Sequence, residues 1–124
     1  MGRRGPDDLE WKKVKEEVKK RDKGIDRMLK IVTPIEMVKL KKNAGPFLHT
    51  LDPAHYLAVS ERPNIYTMAC NIITLNRYSH SNLDNFRDPI DGHPITKEEV
   101  HNWWVRLLKA DPKQYKELQD KGLI

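Results

Sequence analysis

Only two short stretches of this chain favour β-strands, and they follow each other in its middle. Residues 46–59, with the sequence PFLHTLDPAHYLAV, are rich in β-favouring side chains and contain Pro53. Residues 71–75, with the sequence NIITL, form a β-branched run. We expect a strand on either side of a kink at Pro53, a loop over 60–70, and then a further strand. Because no other segment favours strands, the sheet can be no larger than a small hairpin.

Helix signals lie on both sides of these stretches. Over residues 7–24, Trp11, Val14 and Val18 repeat at helical spacing and predict one apolar stripe. Asp7 or Asp8 can cap the start of this helix, and Gly24 suits its left-handed end.

Two capping boxes mark the starts of later helices. Thr33 with Glu36 and Thr96 with Glu99 each place a hydroxyl three residues before a glutamate. Weaker signals predict a short helix over 76–86 and a last helix that begins at Asp111 and Pro112. Turn residues fill the segment RDPIDGHP between them.

The order of these signals predicts an α+β protein, with a short β-hairpin plus helix in the centre and several α-helices around it. The chain has 124 residues, which is the length of one domain with one modest core. We expect three parts within it: a basic helical part over 7–45, the hairpin and its helix over 46–87, and a helical part over 88–124.

Positive charge is concentrated at the start of the chain. Residues 1–43 carry 14 Lys and Arg against 8 Asp and Glu, whereas residues 44–124 carry 9 against 10. A basic segment on a neutral body predicts a polyanionic partner such as nucleic acid. A solvated, lysine-rich helix face is the alternative interpretation.

Composition also excludes several classes of protein. Cys70 is the only cysteine, so an intrachain disulfide and a zinc site built on two or more cysteines are excluded. No apolar run is long enough to cross a bilayer, and the start of the chain does not resemble a secretory signal. We therefore expect a cytoplasmic protein with no membrane partner.

Polar side chains stand at marked places in the central part. His55 ends the first strand region, Asn71 opens the second, and His80 begins the next helix with Asp84 one turn later. Phosphodiester hydrolysis needs a general base, a partner that orients it, and ligands for a divalent metal. A neutral imidazole, an amide and a histidine–carboxylate pair are suited to these tasks. A structural role is the alternative for each of them.

The stretches DPAHYL and NIITLNRYSH resemble the HNH endonucleases, the ββα-metal nucleases of phage, mobile-intron, restriction and colicin proteins. The similarity covers roughly residues 11–84 and is most specific over 52–84. It implies that the central part is a ββα-metal finger in which His55 is the general base. It also implies that Asn71 orients that base or shapes the hairpin loop, and that His80 is a metal ligand.

The remaining metal ligands are less evident, because many members of the family place one directly before the base, where this chain has Ala54. Residues i and i+2 of a strand share a face, so Asp52 is a candidate replacement. Asp84 is the other candidate, because some members place a ligand one helical turn after the last histidine. The expected metal set is Asp52, His80 and Asp84.

The resemblance implies a metal-dependent DNA endonuclease or nickase that uses Mg²⁺ or Mn²⁺, with Zn²⁺ or Ni²⁺ also accepted. It further implies a phage context, double-stranded DNA as substrate, and a terminase subunit as partner. The alternatives are a DNA-binding accessory protein of the same fold and a nuclease that acts on RNA or DNA junctions. The expected nucleic-acid contacts are Lys12, Lys19, Lys20, Arg21, Lys23 and Arg77.

Many phage members also bind a structural zinc through two CxxC pairs, which this chain lacks. Four apolar side chains near the expected position of the first pair are predicted to replace the zinc by packing: Ile25, Met28, Leu29 and Ile31. His49, His93 and His101 lie outside any such pattern, and we interpret them as structural or surface histidines.

Overall fold

The computed structural model describes residues 8–57 and 68–124. This part of the chain has an α+β fold of five α-helices and one two-stranded antiparallel sheet. In chain order the elements are α1 (Asp8–Asp22), α2 (Pro34–Ala44), β1 (Leu51–His55), β2 (Ile72–Asn76), α3 (Arg77–Asp84), α4 (Lys97–Lys109) and α5 (Pro112–Asp120). Short 3₁₀ turns occur at Arg27–Lys30, Gly45–His49 and Ala69–Asn71. None of the described helices has the length and apolar character needed to cross a membrane.

The helix ends follow the predicted capping chemistry. In α2 the Glu36 N–H donates to the Thr33 hydroxyl at 3.2 Å, and the Thr33 N–H donates back to the Glu36 carboxylate at 2.9 Å. The same reciprocal pair joins Thr96 and Glu99 at the start of α4. Both capping boxes are confirmed. Of the two cap candidates for α1, Asp7 lies outside the described residues and Asp8 is already helical.

The hairpin pairs Leu51 with Asn76 at one end and His55 with Ile72 at the other. The prediction of two strand pieces separated by a kink is wrong, because β1 is continuous through Pro53 and a 3₁₀ turn precedes it. Pro53 is tolerated because it lies at a position where the backbone N–H would point away from β2.

The two faces of the hairpin are buried against different elements. Ala54, Ile73 and Leu75 face the main core, which also contains side chains of α2, α4 and α5. Ile72 faces the other way and packs under Val14 and Val18 of α1, which confirms the predicted apolar stripe. The hairpin therefore lies between α1 and the main core.

Side chains from the end of α1 cover the outer edge of β2. The Thr74 N–H donates to Asp22 at 2.9 Å, and the Ile72 carbonyl accepts from Arg21 at 2.6 Å. The buried guanidinium of Arg27 donates to Asp22 at 2.6 Å. Burial acts to raise the pKa of Asp22, but hydrogen bonds from Arg21, Arg27 and Thr74 outweigh it and lower the pKa to about 2.

A second carboxylate closes the same edge further along. Asp26 accepts hydrogen bonds from the Asn76 N–H at 3.0 Å, from the Asn76 side-chain amide at 2.8 Å and from the Met28 N–H at 3.1 Å. Asn76 also caps α3 by accepting from the Ser79 N–H at 2.8 Å. Burial raises the pKa of Asp26 above its ordinary value, and the three hydrogen bonds oppose this rise.

This polar connection corrects one expectation about the segment before α2. Of the apolar side chains predicted to replace a structural zinc, Met28 is fully buried, but Ile25 and Leu29 are 42% and 40% exposed. Ile31 is half-buried at the rim of the core. Asp26 joins the segment to the hairpin, and of the four predicted side chains Met28 packs fully in the core and Ile31 partly.

Candidate active site

Asp52 of β1 lies against the first turns of α3. The Nδ1 atom of His80 is 3.2 Å from Oδ2 of Asp52, and the Nε2 atom of His80 is 3.3 Å from Oδ2 of Asp84. Arg77 donates to both oxygens of Asp52, at 3.0 and 3.3 Å. Asp52 shares its strand face with the fully buried Ala54, as the alternation of a strand predicts.

The electrostatics of this cluster keep Asp52 ionised. Burial acts to raise the pKa of Asp52, but hydrogen bonds from Arg77 and His80 outweigh that effect and hold the pKa below its ordinary value. The imidazole of His80 thus lies between two carboxylates, and one of these is already paired with a guanidinium.

Two carboxylates and one imidazole form a donor set that suits Mg²⁺ or Mn²⁺ and also accepts Zn²⁺. Asp52 and Asp84 lie at opposite nitrogens of the same His80 ring. One ring presents only one nitrogen to one ion, so the three side chains do not converge on a single point in this arrangement. Two of these donors, Asp52 and Nδ1 of His80, could share one divalent ion, but both oxygens of Asp52 already accept from Arg77. Asp84 would then be the hydrogen-bond partner of Nε2.

His55 lies at the other end of β1, on the face covered by α1. Its ring stacks on Trp11 with a centroid distance of 5.6 Å and an interplanar angle of 19°. The ammonium of Lys15 lies 5.5 Å from the same indole. His55 and Asp52 are three residues apart on β1, which corresponds to roughly 10 Å along a strand. The structure therefore places the predicted base on the face of β1 opposite to Asp52, and the other predicted metal ligands, His80 and Asp84, on α3.

Asn71 is fully buried next to β2 and holds the chain that follows β1. Its side-chain oxygen accepts from the Leu57 N–H at 2.8 Å, and its amide nitrogen donates to the Leu57 carbonyl at 3.3 Å. The Tyr56 N–H also donates to the Asn71 carbonyl. Of the two roles implied for Asn71, these contacts favour shaping the hairpin loop.

The predicted nucleic-acid contacts separate into exposed lysines and arginines that already have protein partners, and Arg77, which pairs with Asp52, is one of these arginines. Four lysines are exposed on or just after α1: Lys12, Lys19, Lys20 and Lys23. Arg21 belongs to the other group, because its guanidinium donates to the carbonyls of Ala69 and Ile72 and to Asp22. The expectation that Arg21 contacts phosphate is replaced by this structural role.

One exposed lysine of the same helix was not among the predicted nucleic-acid contacts. Lys15 is exposed on α1 and lies between Lys12 and Lys19 on one stripe of the helix, at positions i, i+3 and i+7. The spacing is visible in the sequence and would have identified Lys15 as part of that stripe.

A separate cluster lies in the turn after α3. Ligand atoms of Asp88, Asp91 and His93 are all within 4.8 Å of one another, which is a geometry that could hold a metal ion. Hydrogen bonds within the turn account for much of this arrangement, since Asp88 accepts from the Ile90 N–H at 2.7 Å and from the Asp91 N–H at 3.1 Å. A hydrogen bond with Asp91 raises the pKa of the exposed His93. The sequence signal that could have identified this cluster is the spacing of Asp88, Asp91 and His93 in DPIDGH.

Comparison with known proteins gives no independent assignment: no family model, no curated protein and no solved structure matches this chain. The proposed function therefore rests on the residues of the site.

Proposed function

We propose that this chain is a metal-dependent nuclease of the HNH type that hydrolyses phosphodiester bonds in DNA. The contact between Asp52 and His80 is the observation that carries the proposal, because it joins β1 to α3 beside an exposed arginine. The order of strand, strand and helix, with His55, Asn71 and His80 at their junctions, supports a ββα-metal finger within this region.

His55 is the proposed general base, which takes a proton from the attacking water. In-line displacement places the attacking and leaving oxygens on opposite sides of the phosphorus. His55 and Asp52 lie roughly 10 Å apart along β1 and project from opposite faces of the strand, so the phosphate would have to cross the edge of β1 to reach both groups. The stacking of His55 on Trp11 holds the imidazole at one end of this edge.

Asp52 and Nδ1 of His80 are the proposed ligands of one Mg²⁺ or Mn²⁺ ion. When bound, the ion would stabilise charge on the phosphate and on the leaving 3′ oxygen, so that the products carry a 5′-phosphate and a 3′-hydroxyl. With the ion on Nδ1, the Nε2–H of His80 would donate to Asp84, which lies 3.3 Å away, and this contact would fix the orientation of the ring. Arg77 is exposed beside Asp52 and is positioned to donate to a phosphate oxygen.

A plasmid-cleavage assay in Mg²⁺, Mn²⁺ or EDTA tests this proposal. Cleavage should require a divalent ion, and His55→Ala should lower its rate by about 10²- to 10⁴-fold. His80→Ala should abolish cleavage and weaken metal binding measured by calorimetry. His93→Ala is the matched control, because it removes a histidine from the separate cluster after α3. If His93→Ala alone abolishes cleavage, the active centre lies in that turn and the proposal is wrong.

Two observations favour an alternative, a DNA-binding accessory protein of the same fold. Ala54 occupies the position of a common metal ligand, and Arg77 already pairs with both oxygens of Asp52. If wild type and His55→Ala bind DNA equally and neither cuts it with any metal, this alternative replaces the nuclease proposal. Parallel assays on RNA and on four-way junctions identify the preferred substrate. A phage context and a terminase partner remain proposals, and co-purification with terminase subunits tests them.

A further inference from the structure

A groove of about 450 Å³ lies between α1 and the face of the hairpin turned toward α1, where Thr74 of β2 and Pro53 of β1 both line it. Lys15, Val18 and Lys19 of α1 form one side of it, and Leu51 and Pro53 of β1 form the other. Leu51 is 40% exposed, so an apolar surface lies open at a place where β1 has no further strand among the described residues. Its size lies within the range of pockets that bind small organic groups.

The groove lies on the same face of β1 as the proposed base. Leu51, Pro53 and His55 alternate onto this face, and Leu51 and Pro53 line the groove. Asp52 also lines the groove, but its side chain projects from the other face of β1, where it pairs with Arg77 and His80. A ligand that fills the groove therefore lies on the His55 side of β1, and the proposed metal ligands lie on the other side.

The charge around the groove is complementary to a phosphate backbone. Lys15 and Lys19 are exposed at its rim, and a shallow depression lined by both of these and by Lys12 extends it along α1. Glu16 also lines that depression and is the acidic exception there. His49 stands at the rim near Leu51 and is exposed. The groove thus combines apolar walls with cations at the spacing of one helix face.

We propose that this groove binds an unpaired nucleotide of a DNA strand, with its base against Leu51 and Pro53 and its flanking phosphates against Lys15 and Lys19. The inference rests on the proposed nuclease function and specifies its substrate as single-stranded or locally unpaired DNA. An intact duplex presents phosphates at its surface and keeps the base faces stacked inside, so it gains nothing from the apolar walls. An unpaired base has a free face that such walls can cover.

Fluorescence anisotropy with labelled oligothymidine and a duplex of equal length, both in EDTA, tests the inference without cleavage. Wild type should bind the single strand about tenfold more tightly than the duplex, as expected for burial of apolar surface between one base and aliphatic side chains. Leu51→Gln removes the apolar contact without adding charge, and it should cancel most of this preference while leaving duplex binding unchanged. Val38→Gln on α2 is the matched control, because Val38 is 69% exposed and lies outside the groove.

Several outcomes overturn the inference: equal binding of single strand and duplex by wild type, an equal effect of Leu51→Gln and Val38→Gln, or an equal weakening of both ligands in Leu51→Gln. Tighter binding of oligouridine RNA than of oligothymidine would overturn the choice of DNA. These outcomes differ from failure of the proposed function. Metal-dependent, His55-dependent cleavage of duplex with no effect of Leu51→Gln removes the groove inference alone, whereas a groove-dependent preference without cleavage removes the nuclease proposal alone.

Discussion

The two outer edges of the hairpin differ in what lies against them. Along β2, the Ile72 carbonyl and the N–H groups of Thr74 and Asn76 point outward, where a third strand would pair with them. Each of these groups has a side-chain partner instead, supplied by Arg21, Asp22, Asp26 or Gln114. Along β1, Pro53 has no N–H to offer, and the adjoining surface is a groove with exposed Leu51. Within residues 8–57 and 68–124, buried polar contacts close the edge of β2, whereas β1 borders a groove.

The ten paired residues of the hairpin therefore have two roles. The edge of β2 contributes to stability, and the groove beside β1 is the proposed binding surface. An exposed strand edge invites pairing with other chains, and a proline in the edge strand is one protection against it. The closed edge fixes β2, and β2 in turn fixes α3 and His80 through the cap formed by Asn76. In the proposed function, the groove beside β1 is the surface that accepts the ligand.

The strongest test of this comparison replaces one aspartate on each edge. Asp26→Ala leaves the Asn76 N–H, the Asn76 amide and the Met28 N–H without their acceptor in the core. Since each unsatisfied buried donor costs about 1–3 kcal/mol, the free energy of unfolding should fall by at least about 3 kcal/mol. Asp52→Ala removes a partly exposed ion pair and should cost less than about 1 kcal/mol.

Urea unfolding followed by circular dichroism measures both changes in stability. Asp26→Asn should fall between them, because its amide oxygen can still accept from the two backbone N–H groups while its amide nitrogen faces the Asn76 amide. Equal destabilisation by Asp26→Ala and Asp52→Ala would show that the closed edge has no special role in stability.

The pH dependence of stability should come partly from the same closed edge. The pKa of Asp22 is lowered to about 2 by Arg21, Arg27 and Thr74, so its contribution is complete above the ordinary pKa near 3.8. This contribution is lost as the pH falls from about 4 to about 2, and it amounts to about 2 kcal/mol.

Asp22→Asn is the reference for this experiment, because the pKa of Asp26 is raised and its contribution changes with pH in the opposite direction. The difference in unfolding free energy between wild type and Asp22→Asn should shrink between pH 5 and pH 2. If this difference stays constant, the contacts of Asp22 on this edge do not lower its pKa.

How far the sequence predicts these edges depends on the range of the interactions. The capping boxes of α2 and α4, the stripe on α1 and the position of β2 follow from patterns within a few residues, and all of them are confirmed. The face shared by Asp52 and Ala54 also follows from strand alternation. Local periodicity is sufficient for these features, because backbone geometry alone determines them.

The closed edge was not predictable in this way. Asp26 and Asn76 are 50 positions apart, and Arg21 reaches carbonyls 48 and 51 positions away. A charged side chain in a lysine-rich helix is expected at the surface, and no periodicity distinguishes Arg21 from its exposed neighbours. Contacts between single polar groups that are distant in sequence leave no periodic pattern. The sequence therefore predicts only apolar packing for residues 25–31, whereas Asp26 connects this segment to the hairpin.

A smaller effect is expected from a change at Asn71, whose side chain holds the segment that follows β1. Asn71→Ala removes both hydrogen bonds to Leu57, two residues after His55. If the nuclease proposal is correct, cleavage should fall by about 10- to 100-fold, as for other groups that support an active site. DNA binding should change by less than about twofold, because the basic stripe of α1 is untouched.

Single-turnover cleavage and anisotropy, both at a temperature where the variant is folded, separate these quantities. Asn71→Asp keeps the acceptor for the Leu57 N–H and should recover part of the rate. An equal reduction of binding and cleavage would give Asn71 a purely structural role.

The smallest expected effect concerns charge at the rim of the groove. Lys19 is exposed beside the groove, so Lys19→Gln should reduce the slope of log Kd against log salt by roughly 0.7–0.9 for each phosphate that the lysine neutralises. Lys97→Gln at the start of α4 changes the net charge equally at a site outside the groove and should leave the slope unaltered. Titrations of binding against salt measure both slopes. If the two variants shift the slope equally, binding depends only on net charge, and the lysines of α1 form an ordinary solvated helix face. A change confined to Lys19→Gln would instead place a phosphate at the groove beside β1.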